Sequence, residues 1–200
     1  MTLTYPSYTA LLYSALRPDP FYRTLEAAFP EREAARDAML RYYDLSIAEA
    51  AVWGHLGMAE GTEGISVWSV PLDAEQSRQK AEAKRTALVA AMGTACAQTF
   101  AAIEENMARH EAAMDLSDHW YLSILAVAPD QQGRGKGASL LDPVLAQADK
   151  AGVSSYLTTF TPRNISFYKR MGYRDMGGFA EPITQSDFHI LVRPPAGGPL

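Results

Sequence analysis

The chain has 200 residues, enough for one compact domain or a domain with an insertion and too few for two full ones. Its 48% hydrophobic and 20% charged residues fall in the ordinary globular range, away from disorder. A formal net charge of -5 offers no general basic field for nucleic acid, and a single cysteine, Cys96, excludes an internal disulfide framework and a multi-cysteine metal site. The first twenty residues carry no basic n-region before an apolar run, and no run reads as long enough to span a membrane. The expectation is a cytoplasmic protein, monomer or homodimer, without a nucleic-acid or membrane partner.

In chain order, "DPFYRTLEAAF" opens a helix with Asp19 as its cap and Pro20 at the first position. "EREAARDAMLRYYDLSIAEA" places Ala35, Met39, Tyr43 and Ile47 four apart, one apolar stripe on a second helix. "AVWGHLGM" and "GISVWSV", joined by "AEGTEG", read as a hairpin. Residues 73–115 are strongly helical. Leu88, Met92, Cys96, Phe100, Ile103 and Met107 mark one face, and Gly93 is a candidate break. "HWYLSILAV" is a buried strand, and a helix carrying Leu140, Leu141, Val144, Leu145 and Ala148 follows, with a kink expected at Pro143. "SSYLTTF" is a strand, "TPRNISFYKRMGY" a short helix running from Thr161 to Gly172, and "YRDMGGFA" and "DFHILVR" two closing strands. This order predicts a mixed α/β sheet with helices on its faces.

The informative stretch is "LAVAPDQQGRGKGASLL", residues 125–141, where a strand passes through Gly133, Gly135 and Gly137 into a helix. A helix N-terminus presents unpaired amides and a positive partial charge, and glycines ahead of it let a phosphate approach the backbone. Arg134 and Lys136 add charge there. The Walker A form fails, because Asp130 stands at its first glycine and Gly137 where Ser or Thr would hold magnesium. Gly133-x-Gly135-x-x-Ala138 satisfies the Rossmann spelling, but five residues separate it from the strand and "SSYLTTF" offers no carboxylate for a ribose. Gln132, Gly135 and Gly137 satisfy a third form, Q/R-x-x-G-x-G/A.

On that form, on the helix and strand after it, and on "PRNISFYKRMGY", the chain resembles the GNAT superfamily of acyl-CoA N-acyltransferases across roughly residues 120–175. "SVWSVP", the Pro143 helix and "PRNISFY" also resemble the puromycin-type acetyltransferases. The resemblance implies a mostly antiparallel mixed sheet with splayed central strands, helices on both faces and a helical insertion at about 73–115. One domain would cover residues 1–194, with a disordered tail at 195–200. It implies acetyl-CoA as acyl donor and no metal. Leu125, Ala126 and Val127 would lie along the pantetheine arm, and the backbone of Gln132, Gly133, Arg134, Gly135, Lys136, Gly137 and Ala138 around the pyrophosphate.

Asn164 and Tyr168 stand four apart on one helical face. The resemblance makes Asn164 a contact to the polar arm, Phe167 packing against the cofactor, and Tyr168 the acid that protonates the departing CoA thiolate. A phenol of ordinary pKa about 10 is protonated at neutral pH, so it has that proton to give. For the base, His119 is best placed, with His55 and Glu63 as others. Tyr42, Tyr43, Trp53, Trp68, Trp120 and Tyr121 are candidates for the wall of a pocket for a small-molecule amine. The rival readings are a non-catalytic acyl-CoA sensor or partner-binding module, and an NAD-type oxidoreductase.

Overall fold

The structure is a computed structural model and describes residues 2–198. Helices α1 (Pro6–Leu16), α2 (Pro20–Glu26) and α3 (Arg32–Trp53) lead the chain. Asp19 caps α2 as its position predicts, accepting from the Phe21 amide at 2.9 Å. The unexpected helix is α1, which has no side-chain cap of its own. The Thr4 and Tyr5 amides instead donate to the buried Asp44 of α3, at 3.1 and 2.7 Å. The α3 stripe of Ala35, Met39, Tyr43 and Ile47 is buried, and Ala51 to Trp53 continue that helix instead of starting the strand.

The hairpin follows as β1 (Gly54–Met58) and β2 (Gly64–Ser69), then α4 (Ala74–Ala112), capped by Asp73 through the Gln76 amide at 2.8 Å. Gly93 leaves helical torsions at φ 76° and ψ 164°, so α4 is two helical segments. Against the expectation of no membrane-length run, α4 holds an 18-residue stretch of mean hydropathy 1.5, long and apolar enough to cross a membrane by length and composition alone. Its stripe of Leu88, Met92, Cys96, Phe100, Ile103 and Met107 is buried in the core. The chain continues as β3 (Trp120–Val127), α5 (Lys136–Ala151), β4 (Ser155–Thr159), α6 (Ile165–Arg170), β5 (Arg174–Glu181) and β6 (Ser186–Arg193). At Pro143, where a kink was expected, α5 continues as one helix. Pro143 and Ser139 both face solvent, so water can take the carbonyl that proline leaves unbonded. In the expected tail the Ala196 amide donates to Asp149 at 2.8 Å; Pro199 and Leu200 lie outside the described residues.

The six strands are ordered β1-β2-β3-β4-β6-β5, and only β3 and β4 run parallel. Helices α1 to α4 pack with Ile65, Val67, Ile124 and Ile190 on one face. Leu141, Val144, Leu145 and Tyr168, from α5 and α6, pack with Trp68, Leu122 and Leu157 on the other. The sheet opens at its centre. β3 pairs with β4 only at Trp120, Tyr121 and Leu122. Across β2, Val67 faces Ile124 while Trp68 faces Leu122, so Ser123 is one extra residue, a bulge whose hydroxyl donates to the Val67 carbonyl at 3.0 Å. A bulge bends its strand and raises the local twist. Residues 123–127 therefore swing away from β4, whose Thr158 and Thr159 stay paired with β6.

Candidate active site

Gly133 and Gly135 adopt φ of 75° and 80°, left-handed torsions that any Cβ would strain. No other atom lies within 4 Å of where their Cβ atoms would sit, so torsion and not crowding requires glycine. Gly137 is different: a Cβ there would come 3.2 Å from the Phe167 ring, which packs down on the first turn of α5. Among the described residues, the amides of residues 132–137 donate to no protein group. Six amides at the start of a sixteen-residue helix suit an anion. The Ala138 amide is not one of them, since Gly135 takes it at 3.0 Å.

The side chains of this loop are engaged. Gln132 donates from Nε2 to the Val127 carbonyl at 3.1 Å, which ties the loop to the end of β3. Arg134 reaches Gln131 at 3.3 Å. Lys136 forms an ion pair with Glu63 of the hairpin loop. Its ammonium keeps further N–H donors for a phosphate, and Glu63 is its counter-ion here.

A cavity of about 920 Å³ passes through the opening between β3 and β4. On the α6 side it is lined by Asn164 and Tyr168, in the sheet by Leu122 to Leu125 and by Thr158 and Thr159, and on the other face by α3 and α4. Residues from opposite faces of the sheet thus share one space. The Tyr168 hydroxyl makes no hydrogen bond to another described residue. Burial, followed by Tyr173 and Asp19, pushes its pKa well above the ordinary phenol value, so it stays protonated.

On the helical side the wall is aromatic. Tyr42 packs on Phe100 with centroids 5.7 Å apart, and Tyr121 stacks on Tyr156 at 4.7 Å and 26°. Tyr42 and Tyr121 line the cavity as expected; Tyr43 and Trp68 are core, and Trp53 and Trp120 do not line it. His119 does not line it either. It lies at the closed end of β3, ring 6.5 Å from Tyr156, with Nδ1 buried and unpartnered, and burial lowers its pKa. His55 stacks on Trp120 at 4.5 Å. The carboxylates that line the cavity are Asp19, Glu49, Glu104, Glu105 and Glu111, and of these Glu104 and Glu111 have no cation within ion-pair distance among the described residues. Burial raises both, Glu111 to about 7. The signal that would have found them is spacing: they fall four residues after Phe100 and Met107, charges set beside the buried stripe of α4.

The family model for the acetyltransferase (GNAT) family matches residues 69–173. Among solved structures the chain is similar to a Corynebacterium glutamicum protein described as histone acetyltransferase HPA2 and related acetyltransferase. The identity is 21% and the TM-score 0.65, over 98% of this chain and 93% of that one. It is also similar to Naa20 of Chaetomium thermophilum in complex with a bisubstrate analogue, at 17% identity and TM-score 0.52, over 96% and 85%. At such identities the likeness is one of fold, and it matches the splayed sheet described above. The family match covers more than half the chain and includes β3, the glycine loop and α6: this protein is an acyltransferase that belongs to the GNAT acetyltransferase family.

Proposed function

We propose that the enzyme moves an acetyl group from acetyl-CoA to an amine of a small molecule by direct attack, with both substrates bound together. The observation that carries this reading is the cavity through the splayed sheet, which joins Tyr168 and Asn164 on one face to a walled pocket on the other. The unengaged amides of residues 132–137 suit the pyrophosphate. The unpaired edge of Leu125, Ala126 and Val127 suits the amide-bearing pantetheine arm, which can add to it as a strand does. Acetyl-CoA supplies an activated thioester: as the neutral amine nitrogen bonds to the acyl carbon, the carbon–sulfur bond breaks and the sulfur takes the Tyr168 proton. The nitrogen gives up one proton to solvent, from which Tyr168 is reprotonated.

Tyr168 holds that proton at the cavity wall. The low-dielectric surroundings that raise its pKa also raise the proton affinity of a thiolate beside it, so transfer stays accessible. A β3 amide near Leu125, left without a β4 partner, can hold the developing oxyanion. The test is an amine panel read by thiol release, alongside thermal shift with acetyl-CoA and NAD. Acetyl-CoA at a hundred times its Kd should add about 2.7 kcal/mol of stability. Tyr168→Phe should lower turnover by about a hundredfold and leave acetyl-CoA binding intact. Stabilisation by NAD alone, or unchanged turnover in Tyr168→Phe, would overturn the reading.

A further inference from the structure

We propose that the helical half of the cavity recognises an aliphatic acceptor with two basic nitrogens, one held at Glu104 near the opening of the sheet and one at Glu111 at the far end. Most charges on the cavity wall are already engaged. Asp19 is occupied by the Phe21 amide and the Thr161 hydroxyl. Glu49 is held by Lys80 and Lys84 at 3.5 and 3.6 Å. Glu105 is exposed and pairs with Arg109 at 2.8 Å. Glu104 has no ion-pair or hydrogen-bond partner among the described residues. Glu111 has only the Tyr156 hydroxyl, at 3.4 Å. Lys84 and Arg85 also line the cavity, and the Lys84 charge partly offsets the burial that raises Glu104, but neither Glu104 nor Glu111 has a cation within ion-pair distance among the described residues.

Their order along the cavity follows from packing. Phe100 meets Phe21 at 5.8 Å and Phe21 meets Phe160 at 6.0 Å, so the Phe100 end of α4 lies at the open end of the sheet, where Phe160 leads towards Tyr168. Glu111 sits at Tyr156, whose strand is still paired with β3. Glu104 is about one turn from the open end, and Glu111 is seven residues further, on the order of 10 Å along the axis. The wall around them carries Met107, Tyr121 and Tyr156, which suit a methylene chain and whose ring faces attract cations. A monoamine can meet only one of the two acids, whereas a diamine of this span can meet both and hold each in its charged form. The proposal rests on the acetyl-transfer reading only for which nitrogen is modified, the one near Tyr168.

The test titrates three linear eight-carbon probes into the full chain by calorimetry: diaminooctane, octylamine and octanediol. Thiol release from acetyl-CoA is measured separately. Diaminooctane should bind about tenfold more tightly than octylamine, and octanediol not measurably. Glu111→Gln should erase the advantage of the diamine, and Glu104→Gln should weaken both amines, with circular dichroism reporting that the variants are folded. Equal binding of diamine and monoamine by the wild type would overturn the proposal, as would tight binding of the diol or no binding of the diamine. A diamine that binds in the expected pattern yet releases no thiol would instead sink acetyl transfer and leave the cation site standing.

Discussion

Glu111 offers a sharp test of how dry the cavity is. Its carboxyl is raised from 4.5 to about 7, first by burial and then by the charge of Glu104, with the Tyr156 hydroxyl pulling the other way. The folded protein therefore keeps a proton that the unfolded chain has already released, across the window from 4.5 to about 7. Unfolding releases a proton there, so stability falls as pH rises through the window and levels off above it. At about 1.4 kcal/mol per pH unit the full effect is about 3 kcal/mol, an upper bound because water in the cavity screens part of it. Glutamine cannot ionise and still accepts from Tyr156. Glu111→Gln should therefore match the wild type below 4.5 and exceed it by about 1–3 kcal/mol at about pH 8. Urea unfolding of both proteins across that range, without ligand, reads the difference directly. A difference that stays constant with pH, or that favours wild type at high pH, would refute the reasoning and show the carboxyl to be well hydrated.

Three further expectations are independent of that one. Gly135→Ala and Gly93→Ala each force a Cβ into left-handed torsion with open space around it, so each should cost about 1–2 kcal/mol, but only Gly135→Ala should weaken acetyl-CoA in a binding titration. Glu63→Gln releases Lys136, which should tighten acetyl-CoA about two- to fivefold at low ionic strength, an effect that disappears in a salt series. Asp44→Ala strips α1 of both acceptors for Thr4 and Tyr5 and should destabilise the chain by about 1–2 kcal/mol in denaturant melts, with acetyl-CoA binding unchanged.

The features legible in the sequence are those whose causes are local. Asp19-Pro20 and Asp73 start helices because a carboxylate two or three residues ahead reaches its own amides. Gly93 ends a helix because its own torsions do, and Gly133 and Gly135 turn the chain for the same reason. The four-residue step from Asn164 to Tyr168 put both on one wall of the cavity. Helix α1 escaped because its acceptors are on Asp44, about forty residues away. The membrane-length stretch of α4 shows the same limit: composition records its apolarity, and only packing says which neighbours cover it.

By itself the sequence determined the strand–glycine–helix unit, the family it resembles and the tyrosine beside it, since each depends on torsions and spacings within a few residues. Tertiary structure decided where charge sits. It gave Lys136 to Glu63, left His119 at the closed end of the sheet, and turned Glu104 and Glu111 of a distant helix into the wall facing the opening made at Ser123. A carboxylate on a helix is ordinary until packing removes its water, and that removal is settled by which surfaces meet, which no local pattern encodes.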